Sequence, residues 1–294
     1  MTMFDAVFGV HAGLQHTTAD ELRSVWQTIE DLGYGWISIW DHFYGATGHP
    51  DDAACLEAVA MHAALACSTE RVRVGSLVYS ICYRHPAVLA KAITTIDQLS
   101  GGRADMGIGA GWAQIEYQAY GIPFPEVRTR MDQLEEGIQC LRGLLHHEVT
   151  NFEGEWFTLT DARNEPRPLQ HQLPIWIGGG GEKRTLRIAA QYADGWNVPF
   201  ISPEQFAHKN AVLDEHCARR TRTGRDQAGD QLRTRLDRGQ PAAAVRCHRR
   251  VRATRRAHRQ RPTGDRHHRR LRRGGRRPGE HRPGAPFDLD ATIG

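Results

Sequence analysis

Short apolar runs and helix-period stripes alternate along the first two thirds of the chain. "FDAVFGVHAG" (4–13) predicts a strand ending in glycine. Thr18 and Glu21 then stand at capping-box spacing, and Leu22, Val25, Trp26, Ile29 and Leu32 share one helical face before Gly33. "WISIW" (36–40) predicts a second strand, residues 51–67 an Ala-rich helix, and "RVRVGSLVYS" (71–80) a third strand. Pro86 opens a helix whose buried stripe is Leu89, Ile93 and Ile96, closing near Gly101. "ADMGIGAG" (104–111) is a fourth strand, and Met131, Leu134, Ile138, Leu141 and Leu145 mark a long fourth helix. "VTNFEGEWFTL" (149–159) reads as an inserted hairpin. "PIWIGGGG" (174–181) is a fifth strand followed by a helix through Leu186 and Ala190; "GWNVPF" (195–200) is a sixth strand and residues 203–217 a sixth helix.

Repeated strand–helix units with short connections argue for a parallel sheet with helices outside it. Six units without a linker favour an α/β fold of the (β/α)₈ barrel kind, with an open doubly wound sheet as the alternative. The first strand lacks the GxGxxG turn of a dinucleotide fold. A barrel needs two more strands, and the chain after Cys217 does not supply them. Between Arg219 and Arg282 there is no Phe, Tyr, Trp, Ile or Met, and only three Leu and two Val, so nothing there can bury both faces of a parallel strand.

Charge sharpens this boundary. The net +4 of the 294 residues conceals 23 arginines, no lysine and five acidic residues between Arg219 and Arg282, formally +18, which leaves about −14 for the rest. The expected organisation is a barrel part over 1–218, an Arg-rich low-complexity segment over 219–282 and a short tail over 283–294. One reading of the segment is a nucleic-acid arm held to phosphates by counterion release. Against it, the segment has no lysine, and it replaces the part of the fold that closes the barrel. Arg, Gly, Pro, Ala and His without Lys, Ile or Phe is what a GC-rich coding sequence yields out of frame, and "APFDLDATIG" (285–294) resumes ordinary composition. The segment is therefore read as frameshifted, with no nucleic-acid partner expected. Six scattered cysteines without a CxxC pair, no basic-then-apolar leader and no run of 18 apolar residues lead to the expectation of a cytoplasmic protein with no metal site.

Candidate chemistry sits at strand ends. "WDHF" (40–43) places Asp41 and His42 where a barrel strand stops; a His beside a carboxylate transfers protons near neutral pH, although a polar strand end has the same appearance. "GGGGEKR" (178–184) follows a strand and opens a helix, the setting in which backbone amides take a phosphate, with Lys183 and Arg184 nearby; a tight turn also uses glycine. "GIGAGW" (107–112) allows close packing at a strand end, and the Gly-Ser of "VGSLV" (74–78) is either a bulge or strained peptide that presses against a planar ring or an ordinary strand end. Arg84 and His85, before Pro86, reach a ligand or cap the turn, and Trp112, Tyr117 and Trp156 line a pocket or pack in the interior.

Taken together, WDHF, "YRHPAVLAK" with "LSGGRADMGIGAGW", "EYQAYGIPFP" and "PIWIGGGGEKRTLRIAAQYADGWN" resemble the luciferase-like superfamily, in its coenzyme F420-dependent oxidoreductase branch. The resemblance covers about 1–218, with 285–291 beyond it. It implies a (β/α)₈ barrel with an insertion and a flavin or deazaflavin in the barrel mouth. It places the cofactor phosphate on Gly178, Gly179, Gly180 and Gly181, with Glu182 and Lys183. It matches the family's Asp-His pair to Asp41 and His42, and sets Gly109 and Trp112 beside the cofactor. The Gly75-Ser76-Leu77 segment matches the place of a bulge with a non-proline cis peptide behind the ring. The expected chemistry is hydride transfer between F420 and a small organic substrate, with Asp41 and His42 at the cofactor, His42 moving the proton at the reacting centre or stabilising the flavin anion, and Asp41 orienting it. The nearest alternative is an FMN-dependent monooxygenase using O₂; an inactive, unclosed barrel is another. The resemblance also implies a homodimer.

Overall fold

The computed structural model describes residues 7–45 and 54–223. The Arg-rich segment beyond Thr223 and the tail lie outside the described residues. In chain order the elements are β1 (Gly9–His11), α1 (Ala19–Asp31), β2 (Trp36–Ile39), α2 (Ala58–Ser68), β3 (Arg73–Ser76), β4 (Tyr79–Ser80), α3 (Pro86–Leu99), β5 (Ala104–Gly109), α4 (Gln114–Ala119), α5 (Val127–His146), β6 (Thr150–Glu153), β7 (Thr158–Ala162), β8 (Ile175–Gly178), α6 (Thr185–Tyr192), β9 (Gly195–Asn197) and α7 (Pro203–Thr223).

The sheet runs β1-β2-β3-β5-β8-β9 with every pairing parallel, and β4 continues the β3 position alongside β5. β6 and β7 form the separate antiparallel hairpin expected near 149–159, three residues longer than expected. Among the described residues no strand pairs with the outer edge of β1 or β9. The six strand–helix units are thus present in the expected order. No helix among the described residues is long and apolar enough to cross a membrane.

Period-2 alternation decides which face of each strand meets the helices. Ile37, Ile39, Val74, Met106, Ile108, Ile175 and Ile177 are fully buried in the core they share with Leu89, Ile93, Leu134, Ile138 and Leu141 of α3 and α5. The intervening positions meet one another on the opposite face. Trp36 donates to Asp105 at 2.9 Å, Arg73 pairs with Asp105 at 2.6 Å, and the Trp36 and Trp176 rings stack with centroids 5.4 Å apart.

Several boundaries differ from the sequence expectation. α2 starts at Ala58 rather than 51, because Cys55 bridges to Gln15 and Glu57 caps the helix through the Ala60 amide. Val25 and Leu32 of the expected α1 stripe are exposed; only Leu22, Trp26 and Ile29 turn inward. α7 runs to Thr223, six residues past the expected helix end at 217.

The expected third strand is interrupted. Gly75 faces Asp105 and Tyr79 faces Ile108, four steps on one strand against three on the other, so one extra residue bulges out between β3 and β4. The Leu77–Val78 peptide within the bulge is cis. Val78 folds over glycines: a Cβ on Gly107, Gly109 or Gly178 would stand 2.7–3.0 Å from its methyls, and one on Gly107 would also lie 2.0 Å from the Ser76 carbonyl oxygen. Gly107→Ala must therefore displace backbone and is expected to cost about 3 kcal/mol, read as a lower urea midpoint with an unchanged m-value.

Candidate active site

The candidate side chains gather at the carboxyl ends of the strands, the end on which barrel enzymes build their sites. β2 stops at Ile39, and the next residues diverge because successive side chains of extended backbone point to opposite sides. Asp41 turns inward, its side chain 1% exposed, and takes a bidentate pair from Arg84 at 2.6 and 3.0 Å and the Ser80 amide at 3.0 Å. Burial pushes the Asp41 carboxyl upward, while the Arg84 guanidinium and the Ser80 amide pull against it. Arg84 also reaches Glu57 at 2.6 Å.

His42 points the other way. Its Nδ1 lies 2.9 and 3.1 Å from the two carboxylate oxygens of Glu116 on α4. With a carboxylate as acceptor, Nδ1 carries the proton and Nε2 is left for another partner. Glu116 also accepts the Tyr83 hydroxyl and, at 3.2 Å, the Tyr44 amide. Burial works to raise the Glu116 carboxyl, but the bonds from His42, Tyr83 and Tyr44 outweigh it and hold it below the usual carboxylate range. Tyr83 is held well above its ordinary value by burial and by Glu116. The Asp-His pair expected from sequence is thus corrected: Asp41 belongs to Arg84, and the carboxylate that orients His42 is Glu116.

Aromatic rings wall the same mouth. His42 meets Trp40 and Trp112 edge-on at 5.7 and 5.3 Å, and His11 meets Trp40 edge-on at 5.5 Å while bonding Ser38 through Nδ1 at 2.8 Å. Burial, with the neighbouring His42, lowers the His11 imidazole. Phe43 stacks between Tyr83 and Tyr120. Trp112 is 65% exposed. Tyr117 is fully buried and bonded to Ser80, and Trp156 lies in the β6–β7 turn beside Glu136, so neither joins Trp112 in a pocket wall.

The strand-end glycines divide. Gly109 and Gly178 lie under Val78, and the cis bond, Leu77–Val78, falls at the end of the expected Gly75-Ser76-Leu77 segment. Gly75 instead lies under the Trp36 ring, and Ser76 is buried with its hydroxyl unpartnered. After β8 the loop Gly178–Gly181 turns through Gly179, whose φ of +119° favours glycine, into α6. The N-cap of α6, Arg184, contributes no side-chain cap bond; its guanidinium turns to Asp132 and Glu135. Lys183 is exposed, with no ion pair among the described residues. A different cation serves the loop: Lys209 of α7 donates to the Gly180 carbonyl at 2.7 Å. Sequence reasoning missed Glu116, Val78 and Lys209, each supplied from an element whose own local pattern is ordinary.

Beneath the mouth, His62 of α2 is fully buried and shares a 2.8 Å hydrogen bond with the Tyr79 hydroxyl. Burial lowers its pKa from 6.5 to about 4. The folded protein keeps His62 neutral where the unfolded chain takes up a proton. Its contribution is therefore complete above pH 6.5 and falls by about 3 kcal/mol as pH drops to 4. Urea unfolding at pH 7 and pH 4.5 should show this slope reduced in His62→Gln.

The chain matches the luciferase-like monooxygenase family over residues 2–288 and belongs to it. An F420-dependent glucose-6-phosphate dehydrogenase of Amycolatopsis mediterranei is 34% identical over 173 residues, 58% of this chain and 50% of that protein. The pyrimidine monooxygenase RutA of Allorhizobium ampelinum is 35% identical over 141 residues, 47% of this chain and 38% of that protein. An F420-dependent secondary alcohol dehydrogenase, solved with an F420–acetone adduct, superposes with a TM-score of 0.63 at 24% identity, covering 73% of this chain and 63% of that one. That likeness is one of fold. The chain spans about half the length of the curated relatives it matches.

Proposed function

We propose that the chain is an oxidoreductase that transfers a hydride between coenzyme F420 and a small organic substrate. The observation that carries the reading is the His42–Glu116 pair at the strand ends, on the same face of the fold as the glycine loop. The residues fit such a cofactor: Val78 fills the space over Gly107, Gly109 and Gly178 with a compact apolar shelf for a planar ring, and the α6 amides after Gly181 lack a side-chain cap. Gly178–Gly181 and Lys209 would hold the phosphate, and Val78 and Trp112 the ring. When bound, F420 would supply the hydride chemistry.

The protein's share is proton handling. Glu116 fixes His42 with Nδ1 protonated, so Nε2 accepts the hydroxyl proton of an alcohol or, in reverse, returns one to a carbonyl oxygen. The charge that His42 then gains is balanced by Glu116. Trp40 and Trp112 flank the imidazole edge-on and narrow the directions from which a substrate reaches it. The relative of monooxygenase type supports a second reading, FMN-dependent oxygenation on the same site. Incubation with F420 and alcohols under nitrogen separates them. Hydride transfer proceeds without O₂, whereas an absolute requirement for O₂ overturns the F420 reading.

We further infer that the coding frame is lost near residue 219 and restored before 285, so that the sequence between them does not encode the two further strand–helix units a closed barrel needs. The family match ends at 288, beyond the Arg-rich stretch. Resequencing the gene across that region tests this, and an unbroken frame would contradict it.

A further inference from the structure

Two charges meet at the glycine loop without a part in proton transfer. Lys209, in the second turn of α7, donates through Nζ to the Gly180 carbonyl at 2.7 Å and to Glu182 Oε1 at 3.0 Å. Its side chain is 19% exposed. His208 Nε2 stands 3.4 Å from the same carboxylate oxygen, and His216 Nε2 bonds the Glu182 carbonyl at 2.9 Å. α7 therefore clasps the loop at Glu182. The Lys209 hydrogen bond holds the Glu182 carboxyl below the usual carboxylate range, so it is ionised at neutral pH. The Leu186 amide is taken by the Gly181 carbonyl, and the start of α6 has no side-chain cap. A fixed negative charge on the loop leading into it opposes an anion held there, and its effect grows with the charge of that anion.

Resting on the F420 reading above, we propose that Glu182, tethered by Lys209, makes the glycine loop selective for a phosphodiester over a phosphomonoester, and so for F420 over FMN. The F420 phosphate is a diester with a single negative charge. The FMN phosphate is a monoester, and such groups carry about −1.5 to −2 near pH 7. Lys209 offsets about one unit at the loop, while Glu182 repels every unit. Two unit charges about 4 Å apart in water change an equilibrium about fivefold, and salt screens the effect. A monoester therefore loses more than a diester to the same carboxylate. The glutamyl carboxylates of the F420 tail lie several bonds beyond the diester, where this repulsion is more fully screened.

The test measures dissociation constants of F420, FMN and riboflavin by fluorescence titration at low salt, for the unaltered chain, Glu182→Gln and Lys209→Met. Removing the Glu182 charge is expected to tighten F420 about fivefold and FMN about 10- to 25-fold, leaving riboflavin, which has no phosphate, unchanged. Lys209→Met should move both phosphate cofactors the opposite way, FMN further. Both effects should shrink at high salt. An unchanged FMN-to-F420 ratio in Glu182→Gln, or a shift in riboflavin equal to that in FMN, overturns the proposal. If the unaltered chain binds neither F420 nor FMN, the function reading itself fails, a result distinct from saturable binding with an unmoved ratio.

Discussion

His42→Ala is expected to lower turnover about 10²- to 10⁴-fold while leaving F420 affinity unchanged. The imidazole is fixed from behind by Glu116, and its Nε2 has no other partner among the described residues. It does not build the shelf or the glycine loop, so binding survives its loss. Glu116→Gln keeps the shape of that contact but removes the charge that supports a protonated His42, and its amide can present an N–H to Nδ1 and reverse the tautomer. It should fall between wild type and His42→Ala. Stopped-flow single turnovers with F420 and an alcohol check both variants. Unchanged turnover in His42→Ala removes His42 from the mechanism.

Arg84→Met should destabilise the fold by about 3–5 kcal/mol, the range for leaving one member of a buried ion pair alone. Arg84 supplies both side-chain donors to Asp41, whose carboxylate is otherwise met by the Ser80 amide. The Asp41→Asn, Arg84→Met double variant removes the stranded charge and should recover at least half of the loss, as read from urea unfolding. Equal losses in the single and double variants would show that Arg84 acts through packing on Tyr79, whose ring it overlies at 5.7 Å, rather than through Asp41.

The elements legible in the sequence are those whose pattern is local. The α3 stripe Leu89, Ile93 and Ile96 and the α5 stripe from Met131 to Leu145 are buried as their spacing indicates. β5 is buried along its whole length, as a central parallel strand must be. The site was legible only in part. His42 lies where the strand-end argument put it, but its partner is 74 residues away on the short helix α4, and no local period marks Glu116. Asp41 looked like the partner because it is adjacent, yet adjacency at a strand end sends two side chains apart. Lys183 stood beside the glycines in sequence, whereas the cation on the loop came from α7, 29 residues from the carbonyl it meets. The bulge was anticipated from Gly-Ser, but that it presents Val78 depends on three glycines from two other strands leaving it room.

The most direct test of the central claim, that these strand ends form an F420 site, is a fluorescence titration of the purified chain with F420, with FMN run in parallel. Saturable F420 binding tighter than FMN binding is the predicted result. Saturation by FMN with none by F420, or by neither, would contradict it.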